Sequence, residues 1–263
     1  MNLEIISRKP ATTTPHPAAI LFVHGAWHSA AGWQKTAMPY FAEKGYQAYA
    51  LSLRGHGKSE GKVQWCSIKD YVADVRQVAT QIESETGQHP ILIGHSMGGY
   101  ITQKYLEHYQ APAGVLMASL PSSGLIGFTL RYSRRHPLTM LIHSLTMDAY
   151  RIIQNFEDAR ELLFTDAVPE DQAREFWAEL GQESYRIELE MLFNLPRPAK
   201  VKTPLLVIGA DQDNFFSPNE VRRTARAYHT EAAFFPGGHN LMIEPGWEKV
   251  ADHIIARLHE RGV

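Results

Sequence analysis

Ile91-Leu-Ile-Gly-His-Ser-Met-Gly-Gly99 is the stretch on which the fold of this chain turns. A short apolar run stopped by glycine reads as a strand buried on both faces, and the residues from Gly99 to His108 suit a helix. Between the two, Gly94-His95-Ser96-Met97-Gly98 spells G-x-S-x-G. A serine on a sharp strand-to-helix turn needs unusual dihedrals, and glycines two positions to either side let the backbone close around it. Ser96 is then expected to lift its hydroxyl above the edge of a sheet, beside a helix N-terminus. The bare pattern is only moderately specific; its arrival at a strand end makes it a strong signal.

Working outward, Ala19-Ile-Leu-Phe-Val23 stops at His24-Gly25, Gly114-Val-Leu-Met-Ala118 runs up to Ser119, and Leu205-Leu-Val-Ile208 stops at Gly209. Tyr46 to Leu53 and Ala232 to Phe235 supply two further candidate strands. Helical stretches alternate with these runs, the rhythm of an α/β fold with a mostly parallel sheet. Ser67-Ile-Lys-Asp70 and Ser217-Pro-Asn-Glu220 each place a hydroxyl and, three residues on, a carboxylate where a helix begins. Val250, Ile254 and Leu258 form the stripe of a last helix laid on the sheet. Residues 120–198 break the rhythm: they offer no strand-like run and many large apolar residues, among them Phe128, Leu138, Leu141, Phe164, Met191 and Phe193. The pattern predicts a helical cap over 120–198, inserted into a core made of 1–119 and 199–263.

A serine hydroxyl is a weak nucleophile unless a base takes its proton during attack. Gly237-Gly238-His239-Asn240 follows the Ala232–Phe235 strand and should lie at the same sheet edge as Ser96, which makes His239 the candidate base. The imidazole needs an acid to fix its tautomer. Gly209-Ala-Asp211-Gln-Asp213 offers two; Asp213 is favoured because it lies further past the strand and leads into a capped helix, with Asp211 left open as the alternative. Acyl transfer also needs donors aimed at a developing oxyanion, and the N–H groups of Ala26 and Met97 are the candidates. Trp27 is placed on the substrate pocket wall or in ordinary packing beneath the cap.

His24-Gly25-Ala26-Trp27, Leu53-Arg54-Gly55-His56-Gly57-Lys58-Ser59, Gly94 to Gly99, Asp213 and Gly238-His239, taken together, resemble the α/β-hydrolase family, closest in style to its carboxylesterase and monoacylglycerol-lipase-like members. The resemblance covers Ala18 to Gly114 and Thr203 to Leu258. It implies a sheet of about eight strands with helices on both faces and a triad of Ser96, Asp213 and His239, in the chain order Ser, Asp, His; separately, no P-loop or G-x-G-x-x-G follows a strand, so no cofactor is expected. One departure stands out: where members often carry an acid two positions before the arginine of the R-G-x-G-x-S turn, this chain has Ser52.

Composition narrows the partners. Across 263 residues, 26 Lys+Arg stand against 28 Asp+Glu, a net charge of -2 with no basic excess to draw a nucleic acid. No apolar run approaches the roughly 20 residues of a membrane span, and the first 20 residues lack an apolar segment of signal-peptide length. Cys66 is the only cysteine, which excludes an internal disulfide; a reducing cytoplasm is the expected setting. No metal-ligand spacing links the histidines to paired acids. Arg131, Arg134, Arg135 and His136 make a small basic cluster in the cap, read as a solvated face that could steer acidic substrates or touch a membrane surface. The predicted activity is cleavage of a small-molecule ester or lipid through an acyl-enzyme; the oligomeric state is left open. The same residues would serve carbon–carbon bond hydrolysis of ring-cleavage products, thioesters, lactones or perhydrolysis, and a receptor that keeps the site for ligand binding is the rival from another class.

Overall fold

Every strand read from the sequence is present in the computed structural model, which describes residues 1–12 and 15–263. β1 (Ile5–Arg8), β2 (Ile20–Val23), β3 (Ala48–Leu51), β4 (Ile91–His95), β5 (Gly114–Met117), β6 (Leu205–Ala210) and β7 (Ala232–Phe235) form one sheet in the order β1-β3-β2-β4-β5-β6-β7. Six strands run parallel, and only β1 is antiparallel, against β3. The sheet therefore has seven strands among the described residues rather than about eight. β1 escaped the sequence reading for a physical reason: it is an edge strand of which only Ile5 and Ile6 are half-buried, so it carries no long apolar run.

The helices are α1 (Ala31–Gln34), α2 (Ala37–Glu43), α3 (Ile68–Thr86), α4 (Met97–Leu106), α5 (Ile126–Arg135), α6 (Pro137–Thr146), α7 (Phe156–Leu163), α8 (Glu170–Ala178), α9 (Tyr185–Phe193), α10 (Pro218–Ala227) and α11 (Glu248–Glu260). They cover both faces of the sheet; α3 packs on α4, and α11 packs on α2. Both capping boxes form, Ser67 with Asp70 at α3 and Ser217 with Glu220 at α10, each satisfying otherwise orphaned N–H groups. Val250, Ile254 and Leu258 of α11 are all buried.

Between β5 and β6 lie α5 to α9 and 3₁₀ turns at Ala149–Ile152 and Pro198–Lys200, with no strand among the described residues. This segment buries Phe128, Phe156, Leu162, Leu163, Phe164 and Met191. It leaves Leu130, Leu138, Leu141 and Phe193 exposed, so the apolar wealth of its sequence is only partly an inner face. Because the six parallel strands all end at one edge, the residues after β2, β4, β6 and β7 converge there, under α5 to α9. No helix among the described residues is long and apolar enough to cross a membrane.

Candidate active site

The turn after β4 is tight for reasons that can be measured. Ser96 has φ 52° and ψ -119°, a backbone conformation that side-chain-bearing residues rarely adopt. A Cβ on Gly94 would stand 2.4 Å from the Gly98 carbonyl oxygen, and one on Gly98 would stand 2.2 Å from the Val23 carbonyl oxygen. Two glycines are thus required so that α4 can start directly against β2 and β4 with Ser96 at its N-cap. The Ser96 hydroxyl donates to His239 Nε2 at 2.8 Å. His239 Nδ1–H in turn faces Asp213, with Oδ2 at 3.0 Å and Oδ1 at 3.1 Å. Ser96, His239 and Asp213 therefore form one chain of hydrogen bonds, with the side chains of the histidine and the aspartate almost wholly buried.

Asp213 is held from the other side: Oδ1 accepts from the N–H of Phe215 at 2.7 Å and of Phe216 at 3.2 Å. Asp211 does something else, accepting from Gly237 N–H at 3.2 Å and so bracing the loop that carries His239. That loop is further fixed by Glu244, whose Oε1 accepts from Gly238 N–H at 2.9 Å and from Thr165 N–H at 2.8 Å. His95 Nε2–H donates to the backbone carbonyl of His239 at 3.0 Å, tying the serine turn directly to the histidine loop. Burial holds the His95 ring neutral, well below the usual imidazole range, with the neighbouring His239 acting in the same sense. Neither Glu244 nor His95 was singled out from sequence, because each acts through a backbone group that no residue pattern marks.

On the opposite side of Ser96, His24 sets the shape of the first loop. Its Nδ1–H donates to Gly25 O at 2.8 Å and its Nε2 accepts from Leu53 N–H at 3.0 Å. Burial lowers its pKa to about 3, and neighbouring His56 adds to the shift, so the ring stays neutral and keeps that pair of bonds. Met97 is the first residue of α4, so its N–H has no acceptor within the helix. Ala26 lies in the loop after β2, and both residues line the same cavity as Ser96. Trp27, at φ 67°, also lines it; its indole N–H donates to Ala149 O at 3.2 Å and its carbonyl accepts from Gly181 N–H at 2.7 Å, so it fastens the helical segment to the core.

The acid that the sequence lacks at position 52 comes from elsewhere. Glu4, just before β1, accepts from the Ser52 hydroxyl at 2.7 Å and from Lys58 N–H at 3.0 Å. Ser52 also accepts from Ala30 N–H at 3.0 Å, while Arg54 is paired with Asp74 at 2.6 Å and Asp70 at 2.9 Å.

The cavity at Ser96 measures about 40 Å³, space for a few water molecules. Its walls are apolar, with Leu125, Phe128, Ile152 and Met191 from the helical segment and Phe215 and Phe216 from the loop after β6. Two acids interrupt them, Glu183 and Glu188, and both were missed from sequence, where nothing distinguishes them from surface glutamates. Glu183 is buried and accepts from Tyr71 OH at 2.7 Å, Ser184 N–H at 2.7 Å and His56 Nε2–H at 3.2 Å. The other nitrogen of His56 faces Arg54 O at 3.1 Å, so both ring nitrogens meet acceptors. Burial works against charge on both partners, but their attraction prevails: His56 is raised above, and Glu183 lowered below, the ordinary value. Glu188 makes a similar pair with His143, at 2.8 Å. The basic cluster is largely matched by acids: Arg131 meets Glu220 at 2.9 Å, while Arg135 and His136 face Glu161 at 3.6 and 3.5 Å. No group of three or more His, Cys, Asp or Glu side chains among the described residues is placed to hold a metal ion.

The pattern of the alpha/beta hydrolase family matches residues 20–253, nearly the whole chain. The chain belongs to that family. Among curated proteins it is similar to a non-heme chloroperoxidase of Burkholderia pyrrocinia, 31% identical over 125 residues that make up 46% of this chain and 43% of the relative. It is also similar to a monoacylglycerol lipase of Mycolicibacterium smegmatis, 33% identical over 115 residues, 42% of this chain and 39% of the relative. These alignments span less than half the length of either relative. A thermophilic esterase from Thermogutta terrifontis superposes with a TM-score of 0.75 over 99% of this chain and 94% of that one, at 17% identity, a likeness of fold alone.

Proposed function

We propose that this alpha/beta hydrolase is a serine hydrolase of carboxylic esters, acting on a hydrophobic small molecule or lipid through an acyl-enzyme. The observation that carries the reading is the unbroken run of hydrogen bonds from Ser96 through His239 to Asp213, opening at its serine end into an apolar cavity. Ser96 Oγ attacks the ester carbonyl carbon while His239 Nε2 takes its proton. The negative charge that develops on the carbonyl oxygen falls to the N–H groups of Ala26 and Met97, each worth about 2.7–4 kcal/mol of transition-state stabilisation. Collapse breaks the carbon–oxygen bond to the alcohol, which leaves with the proton from His239. Water then attacks the acyl carbon, gives a proton to His239, and Ser96 departs carrying that proton back. Asp213 keeps Nδ1 protonated throughout and so leaves Nε2 free to act as the base.

Residues 120–198 serve as the cap over a core of 1–119 and 199–263. A cavity of about 40 Å³ admits little more than the reacting group, so loading a larger ester requires the cap to shift. A panel of nitrophenyl esters of increasing acyl length, with acetyl esters of polar alcohols beside it, tests the apolar-pocket reading. Turnover that rises from acetyl toward medium chains is expected; turnover confined to acetyl esters of polar alcohols would contradict it. The similarity to a protein named chloroperoxidase favours one second reading. Hydrogen peroxide in place of water would attack the same acyl-enzyme and release a peracid with Ser96 regenerated. Peracid formation from a carboxylic ester and peroxide, lost in Ser96→Ala, is the result that would support it.

A further inference from the structure

Glu183 lines the small cavity at Ser96 and also a much larger cleft, about 660 Å³, that opens on the surface. The two spaces therefore adjoin at this residue, and the larger has room for the rest of a substrate. The cleft runs between the turn at 62–65 on one side and residues 147–148 and 182–185 on the other. Two large apolar side chains line it while remaining open to solvent, Trp65 at 54% and Met147 at 56% exposure. Both have left-handed backbones, with φ of 65° and 50°. A bulky side chain is strained there and glycine is not. Met147 is moreover the C-cap of α6, a place where glycine is the usual choice. Two strained turns thus each carry a large apolar group over the same cleft, an arrangement that local stability alone does not favour.

We propose that this cleft is the distal substrate subsite: one arm of the ester runs from Ser96 past Glu183 and ends in an apolar group held between Trp65 and Met147. The inference rests on the serine-ester reading and names the substrate class more narrowly, as an extended ester with an aromatic or aliphatic end. The arm carries no negative charge at the point where it passes Glu183. That carboxylate, which accepts from Tyr71, Ser184 and His56, would repel an anionic arm. Of the residues that line the two spaces, Glu183 is the one common to both.

Trp65→Gly and Met147→Gly remove the side chains while suiting the backbone, and Gln182→Trp, at an exposed lining position, fills the cleft instead. Two substrate series separate the arms: nitrophenyl acetate against nitrophenyl octanoate, and methyl acetate against octyl acetate. In one series the ratio of kcat/KM for the long ester to that for the short ester is expected to fall about tenfold, mainly through KM, in the double glycine variant and in Gln182→Trp. Ratios within twofold of the parent in both series would overturn the subsite while leaving ester cleavage intact. If the parent turned over no ester and its serine took no fluorophosphonate, the serine-ester reading would fall, and the subsite with it.

Discussion

At the residue scale, two neighbouring aspartates do different work. Asp213 meets His239 while two backbone N–H groups hold it in place; Asp211 meets the backbone of the histidine loop instead. Asp213→Asn should leave the fold intact and lower kcat by about 10⁴, because the amide cannot keep His239 in the tautomer the reaction needs. Asp211→Asn should change kcat by no more than a few fold. Steady-state kinetics on one activated ester compares the two, and equal losses would contradict the division. Ser96, His239 and both aspartates were legible in sequence because each follows an apolar strand at a loop rich in glycine. What distinguishes Asp213 from Asp211 is which carboxylate points at Nδ1, and spacing carries that only weakly. Glu4 was not legible at all: it supplies a carboxylate to Ser52 from 48 positions away, across a strand pairing that the sequence does not announce.

At the element scale, the turn between β4 and α4 decides whether the site exists. Gly98→Ala is expected to destabilise the protein by more than about 2 kcal/mol, since the new methyl group would collide with the backbone carbonyls of Val23, at the end of β2, and of His24. Ser67→Ala, which removes one half of the α3 capping box, should cost about 1 kcal/mol. Urea unfolding midpoints measure both, and a Gly98→Ala loss no greater than that of Ser67→Ala would contradict the steric account of the turn. The parallel strands and both capped helices could be read in advance because burial on two faces and capping leave local marks. β1 and the packing of α5 to α9 could not. An edge strand has little apolar content, and the exposed Leu138, Leu141 and Phe193 look in sequence like the buried Phe128 and Leu163.

At the scale of the whole molecule, the helical segment and the core meet through buried polar contacts as well as apolar ones. His56 belongs to the core and Glu183 to the helical segment, so their pair joins the two bodies of chain. His56 is raised above its ordinary 6.5, so its contribution to stability is complete below that pH and is lost as pH climbs through the raised value. Glu183 is lowered below its ordinary 4.5, so its contribution is complete above that pH and is lost only in acid. The pair therefore stabilises most between about pH 4.5 and 6.5. Within that window His56→Gln should lower stability by about 3–5 kcal/mol, on the order of 10 °C in Tm. The difference should shrink as pH rises toward 9; a difference independent of pH in thermal melts would contradict the charged pair. The most direct test of the central claim, that Ser96 is an activated nucleophile, is labelling by a fluorophosphonate followed by mass mapping of the modified peptide. Modification of Ser96 is expected, absent in Ser96→Ala and sharply reduced in His239→Ala. A well-folded protein that takes no label, or takes it at another residue, would contradict the claim.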